Sequence, residues 1–369
     1  MELVVRKNDL LRELQLFQGI VERKNTIPIL ANVLMDAKGE NVRFLATDLE
    51  VGLRSTCKAT VTKGGSLTLP AKKFYEIVKA LPDTDIRIAE DKNGVKIAAD
   101  RYESRMQTLP REDFPTLPES GTAAAVTLPR ATVKEMVAKT QFAITGEDTR
   151  FFLNGALFVL RPDEMNLVAT DGHRLALVTV PRDAGTGNGE EVKAILPKKT
   201  LGELGRLLAE GDGDITYERG ENHLFFATGD RLLISRMIDG QFPAYERVIP
   251  KGNDKHIEFE RDRLTNAVKR VALLANERSR SVKFQIDKGK VDVMSSSPEL
   301  GEAHETLPVD YSGAAMQICF NAQYVLDFLS AVTTDVVALD LKDEVSQAVM
   351  KPVGAEGYDY TYVIMPMRV

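Results

Sequence analysis

Apolar residues recur at helical spacing in six segments, two in each third of the chain. Leu10, Leu14, Phe17 and Val21 form the first stripe, and steps of three and four residues place such side chains on one face of a helix. The spacing therefore predicts helices over residues 9–24, 71–80, 130–140, 197–209, 261–275 and 321–331.

Three of these helices carry signals for their N-termini. Thr132 with Glu135, and Thr200 with Glu203, have the spacing of a capping box, in which the side chains satisfy backbone N–H groups of the first turn. Asn321 is a favourable N-cap residue for the last helix.

Short segments between the helices alternate apolar and polar residues, as antiparallel strands do. Residues 42–46 are one example, and Asn93-Gly94 between residues 86–88 and 95–97 has the composition of a two-residue hairpin. Each third of the chain therefore combines two helices with several antiparallel strands, so the predicted fold class is α+β.

One short motif shows that the thirds are copies of each other. Ala46-Thr47-Asp48 recurs as Ala169-Thr170-Asp171, and a weaker polar echo, Val293-Met294-Ser295, follows at nearly the same step. The step is one third of the 369-residue chain, which indicates three repeats of one domain. Linkers rich in proline, glycine and charge at 116–122 and 246–254 predict domains 1–121, 122–251 and 252–369.

Charge is distributed unevenly over this pattern. Four of the six predicted helices carry net positive charge, one is neutral and the last is negative, although the whole chain has a formal charge of −6. If the helices shared one face, that face would attract phosphates without reading sequence. The alternative is that Lys and Arg are simply good helix formers.

The composition indicates the cellular compartment in which the protein is located. No apolar run is long enough for a membrane span, and the N-terminus lacks the apolar core of a signal peptide. Cys57 and Cys319 are the only cysteines and lie in apolar segments, which predicts buried thiols in a reducing compartment, the cytoplasm.

Signals for catalysis are weak. The four histidines do not pair with cysteine or each other at metal-ligand spacing, so neither a metal site nor a cofactor is predicted. The alternating glycines at 185, 187 and 189 precede two glutamates and predict a surface loop. Asp171 and His173 could form an acid–base pair, but Thr47-Asp48 recurs without a histidine, which favours a turn-forming role for the aspartate.

Four longer strings are distinctive: Ala169-Thr170-Asp171-Gly172-His173-Arg174-Leu175, Phe151-Phe152-Leu153-Asn154-Gly155, Phe242-Pro243-Ala244-Tyr245 and the terminal Met365-Pro366-Met367-Arg368. Together they resemble one family, the β subunits of bacterial DNA polymerase III, which are sliding clamps, and the resemblance covers the whole chain. It implies three clamp domains per chain and a head-to-tail homodimer that closes a ring of pseudo-sixfold symmetry. The ring would encircle duplex DNA and act as a non-catalytic processivity factor.

The resemblance also implies three sets of site residues. DNA would be contacted by Lys24, Arg150, Phe151, Phe152, Lys198 and Lys199, where the family usually carries tyrosine at 151 and 152. The dimer interface would combine Arg101, Arg105 and Met106 with Leu273, Leu274, Glu299, Glu302 and Glu305. Two surfaces of opposite charge favour correct pairing.

The third set is a groove for short apolar peptides of the polymerase α subunit, the clamp loader, other polymerases and repair proteins. Flexible methionines suit such an adaptable surface. Its positions are Arg150, Leu153, Thr170, Gly172, His173, Arg174, Leu175, Pro243, Arg247, Val248, Asn321, Tyr324, Val345, Val363, Met365, Pro366 and Met367. Two alternatives remain: a hydrolase that uses Asp171 and His173, and a scaffold that binds peptides without encircling DNA.

Overall fold

The computed structural model describes residues 1–21, 26–121, 125–146, 148–182 and 191–368. Lys24 and the glycines at 185, 187 and 189 lie outside these ranges. The described chain contains six α-helices, two in each third as the apolar spacing predicts. They are α1 (Lys7–Phe17), α2 (Ala71–Ala80), α3 (Arg130–Thr140), α4 (Lys198–Leu207), α5 (Arg261–Ala272) and α6 (Ala322–Ala331). None of them is long and apolar enough to cross a membrane.

The strands of each third are short, and every pairing between them is antiparallel. The first third contains β1 (Glu2–Arg6), β2 (Asn32–Lys38), β3 (Asn41–Thr47), β4 (Val51–Lys58), β5 (Thr60–Lys63), β6 (Gly65–Pro70), β7 (Asp85–Asp91), β8 (Gly94–Ala99) and β9 (Tyr102–Met106). The central third contains β10 (Val126–Leu128), β11 (Gly155–Leu160), β12 (Glu164–Thr170), β13 (Arg174–Pro181), β14 (Val192–Pro197), β15 (Ile215–Arg219), β16 (His223–Thr228) and β17 (Arg231–Arg236). The last third contains β18 (Lys255–Glu260), β19 (Ser281–Asp287), β20 (Lys290–Ser297), β21 (Gly301–Pro308), β22 (Met316–Asn321), β23 (Val336–Leu341), β24 (Ala348–Pro352) and β25 (Asp359–Ile364).

The strands divide between two compact units. Unit 1 comprises residues 1–134 and 199–237, and unit 2 comprises residues 135–198 and 238–369. Unit 1 holds a five-stranded sheet, β5-β1-β7-β8-β9, and an eight-stranded sheet, β10-β15-β16-β17-β4-β3-β2-β6. Unit 2 holds another eight-stranded sheet, β14-β11-β12-β13-β25-β24-β23-β18, and a four-stranded sheet, β21-β20-β19-β22.

The units cut through the central repeat because its strands belong to two different sheets. Strand β17 pairs with β4 of the first third, and β13 pairs with β25 of the last third. Each eight-stranded sheet therefore contains strands from two neighbouring repeats. Continuous backbone pairing makes such a junction part of a sheet rather than a loose interface between domains.

The apolar stripes of the helices form the core, as their spacing predicts. Leu10, Leu14 and Phe17 of α1 are fully buried, and Val268 and Phe328 occupy the same role in α5 and α6. Burial of one such side chain stabilises the fold by about 1.5–3 kcal/mol. Cys57 is buried as well, which raises its thiol pKa to about 12, whereas Cys319 is only partly buried.

The structure confirms the predicted hairpin and one predicted N-cap but not the two capping boxes. The Asn93-Gly94 hairpin is confirmed, since Asp91 pairs with Gly94 across it. Asn321 is confirmed as the N-cap of α6, where its side chain accepts from the Gln323 N–H at 2.9 Å. Both capping boxes are wrong, because α3 begins at Arg130 and α4 at Lys198, so Thr132 and Thr200 lie inside the first turn.

Candidate functional site

A tight turn joins β12 to β13 in unit 2, and the Thr-Asp motif forms it. The Thr170 hydroxyl donates to the Arg174 carbonyl at 2.7 Å and accepts from the Gly172 N–H at 3.1 Å. One carboxylate oxygen of Asp171 accepts from the backbone N–H groups of His173 and Arg174 at 2.9 and 3.0 Å. Short polar side chains thus replace the backbone partners that the turn residues lack.

The turn between β3 and β4 in unit 1 has the same hydrogen bonds. Thr47 donates to the Val51 carbonyl and accepts from the Leu49 N–H, both at 3.0 Å. Asp48 accepts from the N–H groups of Glu50 and Val51 at 2.9 and 2.7 Å. The third copy differs, because residues 293–295 lie inside β20 and form no turn. The motif therefore forms a tight turn in two repeats and is part of a strand in the third.

The third position of both turns has a positive φ angle. Gly172 lies at φ 88° and Leu49 at φ 80°. Glycine adopts this region without a steric penalty, whereas a branched side chain is strained there by about 1–2 kcal/mol. A Cβ atom at position 172 would also lie 3.3 Å from the nearest guanidinium nitrogen of Arg150.

Arg174 anchors the unit 2 turn to helix α6 and to the segment after α3. Its guanidinium donates to Asp171 at 3.1 Å, to the Phe142 carbonyl at 2.7 Å and to Asp327. It also lies 4.2 Å above the centre of the Tyr324 ring. Only 9% of the Arg174 side chain is exposed, so hydrogen bonds and a cation–π contact replace its lost hydration.

An apolar cleft of about 260 Å³ opens beside this turn. Buried Leu153, Leu175 and Val363 contribute to its lining, and the exposed Met365 lies among the lining residues. The residues that line the cleft are Arg150, Phe152, Leu153, Thr170, Gly172, His173, Arg174, Leu175, Pro243, Tyr245, Val248, Val363 and Met365. A largely apolar concavity with a few polar groups is the usual form of a ligand site.

Most of the residues expected in a peptide groove thus lie together around one cleft. Those that do not line it are Arg247, Asn321, Tyr324, Val345, Pro366 and Met367. Phe152, an expected DNA contact, lines the cleft, and so does Tyr245, which is not among the expected groove residues. Tyr245 belongs to the Phe-Pro-Ala-Tyr string, so its place in that string was the available signal.

Backbone hydrogen bonds hold the C-terminal segment, which includes Met365 of the lining, beside the cleft. The Met365 N–H donates to the His173 carbonyl at 2.9 Å, and the Met367 N–H donates to the Cys319 carbonyl at 2.8 Å. The C-terminal segment is therefore fixed against the turn and against β22. Tyr324 underlies Arg174, and Val345 is 62% exposed.

The residues expected to contact DNA have diverse surroundings. Phe151 is 73% exposed, whereas Phe152 packs against the apolar cluster below the cleft. The Lys198 ammonium donates to the Ile144 carbonyl at 3.1 Å, and Lys199 donates to the Ile20 carbonyl at 3.2 Å and pairs with Asp48.

Arg150 at the rim of the cleft forms a two-pronged pair with Asp148. The nitrogen–oxygen distances are 2.9 and 2.7 Å, and the Arg150 guanidinium lowers the pKa of Asp148 to about 2. Such fork-shaped pairing fixes the direction of the arginine as well as its charge.

The acid–base alternative requires Asp171 to activate His173. Both oxygens of Asp171 are occupied by the turn and by Arg174, and no hydrogen bond joins its carboxylate to the His173 ring within the described residues. The described residues also contain no group of three or more side chains that could hold a metal ion. The geometry therefore favours a binding site over a catalytic pair.

Comparisons with known proteins agree along the whole chain. Three family models match consecutive stretches: the N-terminal domain of the DNA polymerase III beta subunit over residues 1–118, its central domain over 127–244 and its C-terminal domain over 246–368. The beta sliding clamps of Pseudomonas putida and Escherichia coli K12 are 37% and 35% identical, each covering 100% of both chains.

Solved structures give the same result. A DNA polymerase sliding clamp from Pseudomonas aeruginosa superposes with a TM-score of 0.92 at 35% identity over 100% of both chains. A sliding clamp from the same organism bound to griselimycin gives a TM-score of 0.93 at 35% identity, again over 100% of both chains. The chain belongs to the DNA polymerase III beta subunit family.

Proposed function

We infer that this chain is a DNA sliding clamp, a non-catalytic subunit that tethers the replicative DNA polymerase to duplex DNA. The observation that carries this inference is the match of all three beta-subunit domains, in order, along one chain. The full-length likeness to solved clamps supports it. Processivity then comes from topology, because a protein that encircles DNA need not bind it tightly or read its sequence.

Sequence-independent contact with DNA is assigned to basic side chains and to the rings of Phe151 and Phe152. The proposed DNA contacts are Lys24, Arg150, Phe151, Phe152, Lys198 and Lys199. Phe151 is the most exposed aromatic residue of the described chain, which supports its assignment. Lys198 and Lys199 bind backbone carbonyls of their own unit, so their contribution to DNA binding is a weak and salt-screened attraction.

The unit 2 cleft is the proposed docking groove for short apolar peptides of the polymerase, the clamp loader and repair proteins. Its apolar lining and its volume of about 260 Å³ suit one or two apolar side chains of a peptide. His173 is exposed at the rim and can orient a peptide backbone. Arg174 is assigned a positioning role, because its N–H donors are occupied within the protein.

The two edge strands β9 and β21 are the proposed dimer interface. Arg105 lies in β9 and Arg101 directly precedes it, whereas Glu302 and Glu305 lie in β21 and Glu299 precedes it by two residues. We propose that β9 of one copy pairs with β21 of a second copy. Met106 of the first copy and Leu273 and Leu274 of the second form the apolar part of this interface. Leu273 is 76% exposed, and an exposed edge strand beside an apolar side chain favours such an addition. Head-to-tail pairing of two copies closes a ring.

The proposed domains remain 1–121, 122–251 and 252–369. The break between the first two matched stretches, residues 119–126, contains the first boundary, whereas the second boundary lies inside the C-terminal match, which begins at residue 246. A cytoplasmic location follows from the proposed role, because the chromosome of a bacterium lies in the cytoplasm.

Retention on circular DNA tests the function. After loading by a clamp loader, the protein should stay on a nicked circle for minutes and leave within seconds of linearisation. Leu273→Asp should shorten retention on the circle by weakening the dimer, whereas Leu49→Asp, a matched change at another exposed leucine, should not.

Equal retention on circular and open linear DNA would refute the clamp. A strict monomer at micromolar concentration in sedimentation, with peptide binding intact, would favour the scaffold that binds peptides without encircling DNA.

A further inference from the structure

A second cleft lies beside the Thr-Asp turn of unit 1. It has a volume of about 350 Å³, and all of its lining residues belong to unit 1. The residues that line it are Thr47, Leu49, Pro115, Thr116, Leu117, Pro118, Asn222, His223 and Arg236. The same turn with the same hydrogen bonds therefore borders a cleft in each unit.

Leu49 is the most unusual residue of this cleft. It holds a positive φ of 80° and is 51% exposed. Both features cost free energy, since a branched residue is strained in this backbone region and an exposed leucine forgoes burial. Backbone strain at a surface cavity is a reason to look for a ligand. With Leu117 and the two prolines, Leu49 provides an apolar wall.

Arg236 adds a positive charge to the same cleft. Its side chain is exposed and forms no hydrogen bond or ion pair with any residue that the structure describes. Its backbone N–H donates to the Glu50 carbonyl at 2.8 Å, which fixes it beside the turn.

Of the acidic residues near the turn, Asp48 and Glu119 have partners, and Glu50 is exposed to solvent. Asp48 pairs with Lys199, and Glu119 pairs with Arg54 at 3.1 Å. The other titratable group of the lining is His223, whose pKa is lowered by partial burial and by the charge of Arg236. An available guanidinium beside an apolar wall is complementary to a carboxylate that neighbours an apolar side chain.

We propose that the unit 1 cleft binds an extended peptide segment of a partner protein in which a carboxylate side chain neighbours a leucine-like side chain. This site is separate from the docking groove of unit 2, and it prefers peptides with a carboxylate side chain. In unit 2 the rim arginine, Arg150, is neutralised by Asp148, whereas in unit 1 Arg236 is available. The apolar side chain packs against Leu49 and Leu117, and the carboxylate pairs with Arg236.

Methyl NMR on leucine-labelled full-length protein tests this proposal. The probes are acetyl-Leu-Asp-Leu-amide and its uncharged match, acetyl-Leu-Asn-Leu-amide. We expect the Leu49 and Leu117 methyl signals to shift and saturate, with the aspartate peptide bound about fivefold more tightly. The signals of Leu153 and Leu175 report the unit 2 cleft in the same spectra.

Variants separate the two halves of the site. Arg236→Gln should abolish the preference for aspartate, whereas Arg43→Gln, a change at an arginine paired with Asp36, should leave it intact. Leu49→Gly should weaken both peptides without lowering the melting temperature, because it relieves the strained φ.

Three results would each overturn the proposal. They are shifts confined to Leu153 and Leu175, equal affinities for the two peptides, and an aspartate preference that survives Arg236→Gln.

Discussion

The turns at residues 47–51 and 170–174 have the same hydrogen bonds but different third residues. Unit 1 places a strained, exposed leucine at that position, and unit 2 places a glycine. In unit 2 the fifth residue, Arg174, also connects the turn to α6. A repeated backbone device can thus border two clefts of different chemistry, because the side chains that it presents are free to vary.

The largest expected effect concerns the anchor that only unit 2 has. Arg174→Met keeps an apolar stem but leaves Asp171 and Asp327 without their cation, so the free energy of unfolding should fall by about 3 kcal/mol. Urea denaturation measures this loss. Arg161→Met, at a more exposed pair with Glu164 and Glu191, should cost less than about 1 kcal/mol. Similar losses for the two variants would show that Arg174 is not a special anchor.

Exchanging the third residue in unit 2 should cause the next largest effect. Gly172→Leu imposes a positive φ on a branched residue, at about 1–2 kcal/mol, and places a side chain beside Arg150. The probe is a short apolar peptide of the kind proposed to dock in the unit 2 cleft. Its affinity should fall at least about tenfold, or 1.4 kcal/mol, in calorimetry. Unchanged affinity in a folded variant would show that the ligand does not use this cleft.

The reciprocal substitution in unit 1, Leu49→Gly, should change the free energy of unfolding less and should not lower it. Leu49→Gly relieves the strain at φ 80°, and the flexibility of glycine in the unfolded chain offsets part of that gain. We expect the free energy of unfolding to stay constant or rise by up to about 1 kcal/mol. Leu109→Gly, at an exposed leucine without a positive φ, should be destabilising. If Leu49→Gly lowered the free energy of unfolding as much as Leu109→Gly does, the backbone at Leu49 would not be strained.

The smallest effect concerns the charge of the unit 1 cleft. His223 is partly buried beside Arg236, and both conditions disfavour its protonated form, so its pKa lies below the usual value. The His223 ring therefore gains its proton at a lower pH than an ordinary histidine does. Arg236→Gln should raise the His223 pKa in an NMR titration. A pKa that does not move would show that Arg236 lies too far away to act on the cleft.

Much of this arrangement could be predicted from the sequence because it depends on local spacing. The six helices follow from apolar stripes, and the turns follow from Thr-Asp, whose side chains bond to their own backbone. The capping boxes failed because the strands before α3 and α4 lead into helices that begin at Arg130 and Lys198, ahead of the expected caps. The polar echo at residues 293–295 forms no turn, because β20 runs on to Ser297.

The cleft of unit 1 could not be predicted, because residues far apart in sequence form it. Leu49, Leu117 and Arg236 have no common motif, and only the pairing of β17 with β4 brings Arg236 beside the turn. The same limit applies to Arg174: its string was recognised, but its contact with Asp327 depends on the packing of α6 against the sheet. Family resemblance supplied the docking residues that spacing alone did not.

The most direct test of the account is the length of DNA made per binding event on a primed circular template, with polymerase, clamp loader and this protein. Wild type and Leu49→Gly should both give long products. Gly172→Leu should reduce the products to the length made without a clamp, because the proposed docking groove for polymerase and loader lies beside that turn. Long products with a folded Gly172→Leu variant would contradict the claim that the unit 2 cleft tethers the polymerase.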